Sequence, residues 1–238
     1  MTFDWGLLSR NPEFMRVLRK EIFDENSYLK HFSIEEGDTV FDVGASAGPF
    51  SFSVLGLKPG RMFCFEPHET LFKTLEKNLK ERAVCVNAGV AKQSGDGILN
   101  GLYNPDSMAM WSIPTKAKTV NLKSFAVENS VDRVDFLKCD CEGCEYDIFS
   151  PENEGWILSK VRKIAGEWHL HNEQLKGCFR EFRDRFLSRL PRENYKVESM
   201  DGVDIGDYLF EDWFLGNYSC IMLYILTPGE KMDELTHR

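Results

Sequence analysis

The stretch Val40-Phe41-Asp42-Val43-Gly44-Ala45-Ser46-Ala47-Gly48-Pro49-Phe50 limits the possible folds more than any other part of the chain. Val40 to Val43 has the apolar, β-branched character of a buried parallel strand. Glycines follow at once, and Pro49 suits the first turn of a helix, where a missing N–H costs nothing. Strand, glycine turn and helix together let a nucleotide-like ligand approach the backbone beside a helix N-terminus. The spacing Asp42-x-Gly44-x-x-x-Gly48 is not the Gly-x-Gly-x-x-Gly run that cradles a pyrophosphate. A carboxylate at that strand end repels phosphate but receives an ammonium group, directly or through water. The pattern suits a ligand that joins a nucleoside to an amino acid.

A second anchor lies 22 positions beyond Gly44 (66 − 44), where the strand Arg61 to Phe65 runs into Glu66. Nucleotide-binding α/β units place an acid at about this spacing, because a carboxylate accepts hydrogen bonds from both ribose hydroxyls. The segment from His68 to Arg82 carries Leu71, Leu75 and Leu79 on one helical face. Ala83 to Val90 reads as a third strand, with Asn87 near its end. Asn87 to Val90 is then either a contact to the base or an ordinary loop turn.

Further along, the strand beginning at Val134 runs into Lys138-Cys139-Asp140-Cys141-Glu142-Gly143-Cys144-Glu145. Lys138 and Asp140 lie two apart and share a strand face. Asp140 and Glu142 sit at the carboxyl end of the strand, where open α/β sheets bind ligands. Such a gathering of like charges favours a functional site over a structural one. A following strand, Val161 to Glu167, leads to Trp168 and His169, and His169 is a candidate general base. The seven cysteines are odd in number, and Cys64, Cys85, Cys139, Cys144 and Cys220 fall in or near core elements. They read as reduced, buried thiols. Cys139, Cys141 and Cys144 lack the second cysteine pair that a closed zinc site needs, so no metal centre is expected.

Residues 1–36 form a helical extension, with Asn11-Pro12 opening a helix and Phe14, Val17, Leu18 and Ile22 at helical spacing. It either covers the sheet or closes over the pocket. Residues 37–228 read as one domain, and 229–238 as a polar tail. Between 91 and 131 glycines interrupt the pattern, Met108, Met110 and Trp111 follow, and Thr119 to Leu122 is a possible edge strand. Residues 172–190 form a helix with arginines on a solvated face. Tyr195 to Ser199 and Cys220 to Leu226 are the last strands, and the aromatic segment Asp207 to Tyr218 is a candidate pocket wall. A net charge of −9 argues against a general nucleic-acid partner. No apolar run reaches the length of a membrane span and no leader pattern opens the chain, so the expected location is the cytoplasm.

Taken in order, these motifs resemble the FkbM family of S-adenosylmethionine-dependent methyltransferases over roughly residues 38 to 170. Asp42-Val43-Gly44-Ala45-Ser46-Ala47-Gly48 resembles the family's first motif, with serine where asparagine is usual. Phe65-Glu66-Pro67 matches the second. Leu137 to Glu145 matches the Leu-Lys-Ile-Asp-Val-Glu-Gly-Ala-Glu signature, with cysteines replacing three apolar residues, and Glu167-Trp168-His169 fits the Glu-x-His that follows. The resemblance implies a Rossmann-like α/β fold, with a seven-stranded, mostly parallel sheet, its last strand antiparallel, and helices on both faces. It implies methyl transfer from S-adenosyl-L-methionine to a small-molecule acceptor, typically a hydroxyl of a sugar, polyketide or other metabolite. On this reading Asp42, Gly44, Ala45, Ser46 and Gly48 hold the methionine moiety, Glu66 the ribose and Asn87 the adenine region. Asp140 also borders the cofactor. His169 or Asp140 is the base, Lys138 holds Asp140 ionised or orients the acceptor, and Glu142 and Glu145 bind acceptor hydroxyls or close the loop through backbone N–H groups. A divalent ion on Asp140, Glu142 and Glu167 is the minority arrangement. Rival readings are an NAD-dependent oxidoreductase and a non-catalytic nucleotide-binding protein.

Overall fold

A computed structural model describes residues 2–99, 115–211 and 213–228. Met108, Met110, Trp111 and the polar tail lie outside these residues. Ten strands occur among them: β1 (Thr39–Val43), β2 (Arg61–Phe65), β3 (Val84–Val86), β4 (Gly89–Val90), β5 (Gly95–Leu99), β6 (Thr115–Val120), β7 (Val134–Cys139), β8 (Val161–His169), β9 (Tyr195–Ser199) and β10 (Cys220–Leu226). Seven of them build one sheet in the order β3-β2-β1-β7-β8-β10-β9. Strands β3, β2, β1, β7 and β8 run parallel, and β10, the last strand among the described residues, is antiparallel to both β8 and β9. This is the Rossmann-like sheet expected from the sequence.

Alternation along the strands sorts the core onto two faces. Phe41 and Val43 of β1, with Phe63 and Phe65 of β2 and Leu137 and Cys139 of β7, pack on one face. The helices α4 (Leu122–Glu128), α5 (Glu145–Ile148), α6 (Pro151–Lys160) and α7 (Glu173–Arg185) cover it with Leu122, Ile148, Ile157 and Phe182. Val40, Met62 and Phe136 point to the opposite face. There they meet α2 (Pro49–Ser53), α3 (Glu69–Leu79) and the N-terminal segment, which carries α1 (Pro12–Arg19), through Phe50, Leu75, Leu18, Ile22 and Tyr28. Burying both faces is what makes such strands read as near-continuous apolar runs.

Two details depart from the sequence reading. The expected strand 83–90 breaks at Asn87, whose side-chain amide donates to the backbone carbonyls of Glu66 (2.9 Å) and Pro67 (3.3 Å). Its second half, β4, joins β6 and β5 in a separate three-stranded sheet. The strand expected at an edge, Thr119 to Leu122, is instead β6, which begins earlier, at Thr115, and lies at the centre of that small sheet between β4 and β5. Arg183 also departs from the solvated face expected of its helix. It is buried and donates to the carbonyl of Leu209 at 3.0 Å.

Candidate active site

The ends of β1, β2 and β7 lie level with one another, Val43 opposite both Phe65 and Cys139. Above them opens a cavity of about 560 Å³. The turn after β1 forms its floor. Gly44 has φ +73°, and a Cβ there would lie 1.7 Å from the carbonyl oxygen of Asp140. The backbones after β1 and β7 therefore meet only because this residue has no side chain. Ala45 and Ser46 also line the cavity, whereas Gly48 caps α2 from behind.

Lys138 locks this junction. It lies directly across the parallel ladder from Asp42, and both are buried. Its Nζ donates to the Gly44 carbonyl at 2.8 Å and lies 3.3 Å from Asp42 Oδ1 and 3.5 Å from Asp140 Oδ2. Burial by itself would favour the neutral amine, but Asp42 and Asp140 outweigh it and hold the lysine pKa above its ordinary value. The second oxygen of Asp42 accepts a 2.7 Å bond from Ser51 of α2. Asp42 has no exposed surface and does not line the cavity, so the structure does not offer it to a ligand's ammonium group. The Val43 carbonyl at 3.4 Å makes four acceptors around three protons, so Lys138 acts as a clamp rather than as a donor to an acceptor molecule.

Glu66 does line the cavity. Its Oε2 accepts from the Ser46 amide at 2.8 Å and its Oε1 from the His68 amide at 2.7 Å. Burial outweighs these bonds and raises its pKa to about 7. Asn87 is exposed and stands outside the cavity, where it braces the Glu66–Pro67 turn. Ala88, Gly89 and Val90 take the lining position instead.

Across the β1 turn from Glu66 lie Asp140 and Glu142, both in the cavity wall. His169, expected as a base, sits behind them. Its Nδ1 is 2.9 Å from Glu145 Oε1 and its Nε2 is 3.1 Å from Glu142 Oε2. Burial opposes a charge on the ring, but Glu145 and Glu142 prevail and raise its pKa to about 10. An imidazolium at neutral pH has no lone pair to take a proton. His169 also does not line the cavity, so the structure does not place it as the base expected from the sequence. Glu142 itself has a pKa raised to about 7, chiefly by burial, with His169 pulling the other way.

Residues 42–197 match the family model of the methyltransferase FkbM domain. The chain belongs to the FkbM methyltransferase family. Among curated relatives, a 31-O-demethyl-FK506 methyltransferase FkbM from Streptomyces tacrolimicus is 25% identical over 195 residues, which cover 65% of this chain and 74% of that protein. Among solved structures, an rRNA methylase from Streptococcus thermophilus superposes with a TM-score of 0.49 and 11% identity, over 87% of this chain and 95% of that one. An O-methyltransferase from Bacillus cereus in complex with SAH gives 0.48 and 12%, over 92% and 91%.

The FkbM domain holds every site residue read from the sequence, but not the whole site. Tyr28 comes from the N-terminal segment, outside the matched region, and its hydroxyl reaches Asp140 Oδ2 (3.0 Å) and Glu167 Oε1 (3.2 Å). A phenol has one proton to give. Given to Asp140, it leaves Glu167 to make its contact as a protonated carboxyl, in line with a pKa raised by burial and by Asp140 and Glu21. Leu8, Phe14, Leu18 and Ile22 of the same segment line the cavity, so the extension is one of its walls. Among the described residues, the aromatic segment from Asp207 supplies none to the cavity lining. Phe214 stacks on Phe179 of α7 instead (6.0 Å between centroids).

Asp140, Glu142 and His169 bring possible ligand atoms within 4.8 Å of one another, as do Glu167, His169 and Cys220. Both ring nitrogens of His169 already face carboxylates, Nδ1 toward Glu145 and Nε2 toward Glu142. One cysteine expectation is overturned. Cys141 and Cys144 are joined in a disulfide, while Cys64, Cys85, Cys139, Cys178 and Cys220 are free. Among the described residues no helix is long and apolar enough to cross a membrane.

Proposed function

We propose that this chain transfers the methyl group of S-adenosyl-L-methionine to a hydroxyl oxygen of a small, polyhydroxylated acceptor. The observation that carries the reading is one cavity lined both by Glu66 after β2 and by Asp140 and Glu142 after β7, with the β1 glycine turn between them. The residues fit the cofactor. Glu66 is fixed by two amides and keeps further acceptor capacity for ribose hydroxyls. Phe65, Leu71 and Val90 supply apolar wall for the base, and Gly44 to Ser46 supply backbone for the amino-acid portion. The cofactor's sulfonium supplies a methyl group that is already activated.

The chain's task is then alignment and removal of one proton. Asp140, held by Tyr28 and Lys138, orients the acceptor hydroxyl. Glu142, poised by a pKa of about 7, takes its proton, and the imidazolium of His169 fixes Glu142 in place. Asn172 and Gln174 extend the polar lining for further hydroxyls. A cavity carrying this many carboxylates disfavours the pyrophosphate of a nicotinamide cofactor.

The test is transfer of isotopically labelled methyl from S-adenosylmethionine to paired small molecules that differ only in a hydroxyl or an amine at the same carbon. Label on the hydroxyl members supports the reading. Label confined to the amines overturns the oxygen assignment.

A further inference from the structure

The Cys141–Cys144 disulfide is a poor staple for the fold. Its ends lie three positions apart, and the constraint a disulfide places on the unfolded chain grows with the length of the loop it closes. Its effect is local, and the locality is the active-site turn. Cys141, Glu142, Gly143 and Cys144 all line the cavity, and both cysteines are half-buried. The bridge encloses two consecutive residues with left-handed backbone, Glu142 (φ +61°) and Gly143 (φ +111°). Gly143 adopts this conformation freely, but a glutamate does not. In this disfavoured conformation Glu142 Oε2 lies 3.1 Å from His169 Nε2. Closing the bridge holds the chain in the turn; opening it lets Glu142 return to an ordinary backbone region and leave the histidine.

We propose that Cys141 and Cys144 form a reversible dithiol–disulfide site that exchanges with low-molecular-weight disulfides, and that its oxidised form holds Glu142 against His169. In the forward direction one cysteine thiolate attacks the reagent R–S–S–R. The S–S bond breaks, one RS⁻ leaves and a mixed disulfide forms. The second thiolate attacks the protein sulfur of that mixed disulfide and expels the second RS⁻. The two cysteine protons end on two R–SH, and the protein loses two electrons to the reagent. The consequence for catalysis rests on the methyltransferase reading, whereas the exchange and the movement of Glu142 do not.

The experiment equilibrates the full chain across a range of ratios of glutathione to glutathione disulfide. Free thiols are then alkylated under unfolding conditions and counted by mass, and the His169 ring signal is followed by NMR in the two end states. Seven alkylated cysteines in reducing buffer should fall to five in oxidising buffer and recover with dithiothreitol, with the loss mapping to Cys141 and Cys144. The His169 signal should move between the two states in the wild type and stay still in the Cys141→Ser, Cys144→Ser double variant. A constant count in every buffer, a loss mapping elsewhere, or a His169 signal identical in the two states overturns the proposal. S-adenosylhomocysteine binding enters neither readout, so failure of the methyltransferase reading would be seen separately.

Discussion

Replacing Lys138 by methionine is expected to destabilise the fold by about 3–5 kcal/mol, the cost of leaving one member of a buried ion pair without its partner. Asp42 has no exposed surface and would keep only the Ser51 hydroxyl, and the Gly44 carbonyl would lose its 2.8 Å donor. Asp140 would lose a cation as well, so two turns of the site loosen together. For a chain of this length the thermal midpoint should fall by about 10 °C. Adding Asp42→Asn to Lys138→Met removes the orphaned charge and should recover about 1 kcal/mol or more, a coupling that marks direct contact. Differential scanning calorimetry of the single and double variants reads both effects. A Lys138→Met protein that melts with the wild type would mean that the clamp contributes nothing.

The largest catalytic effect should come from Glu142→Gln. The wild-type rate is expected to rise with pH through about 7, as Glu142 loses its proton and becomes able to accept one from the acceptor. The amide cannot titrate or take that proton. The maximal rate should fall about 10²–10⁴-fold and the rise near pH 7 should disappear. Affinity for S-adenosylhomocysteine should stay within about threefold, because Glu142 lies across the β1 turn from Glu66 and its loss touches no cofactor contact assigned above. His169→Asn should act through Glu142, shifting the position of the pH rise rather than abolishing it. Steady-state rates across pH 5 to 9 distinguish these outcomes, and a Glu142→Gln enzyme that keeps the wild-type profile would remove the base assignment.

The parts of the site carried by local patterns were legible in the sequence. The strand–glycine–helix run around Asp42, the acid closing β2 and the acidic turn after β7 all occupy the strand ends where they were expected. What escaped depends on contacts between distant segments. Tyr28 meets Asp140 across 112 positions and has no periodic context that would single it out. The charge on His169 follows from Glu145 and Glu142, which stand at its two ring nitrogens and outweigh burial, a placement that residue identity does not encode. Asp42 carried a correct position and a wrong partner. The strand read as a ligand-facing carboxylate, but β1 and β7 pair so that Lys138 takes it. The break at Asn87 came from a side chain that competes for backbone carbonyls, a capability of asparagine that leaves no mark on hydrophobic periodicity. The cysteines read as reduced core residues because five of them, Cys144 included, fall in or near core elements. Only the turn geometry brings Cys141 and Cys144 together, with Cα atoms 5.4 Å apart.

The measurement that tests the account most directly is calorimetric titration of the folded chain with S-adenosylhomocysteine, on wild type and Glu66→Ala, with NAD as control. Binding in the micromolar range, about −8 kcal/mol, is the predicted result. Loss of charged hydrogen bonds to the ribose should weaken it about 10- to 100-fold in the variant, with NAD silent. No heat with S-adenosylhomocysteine from a folded, cofactor-free sample, or equal affinity in wild type and variant, would contradict the assignment of this cavity.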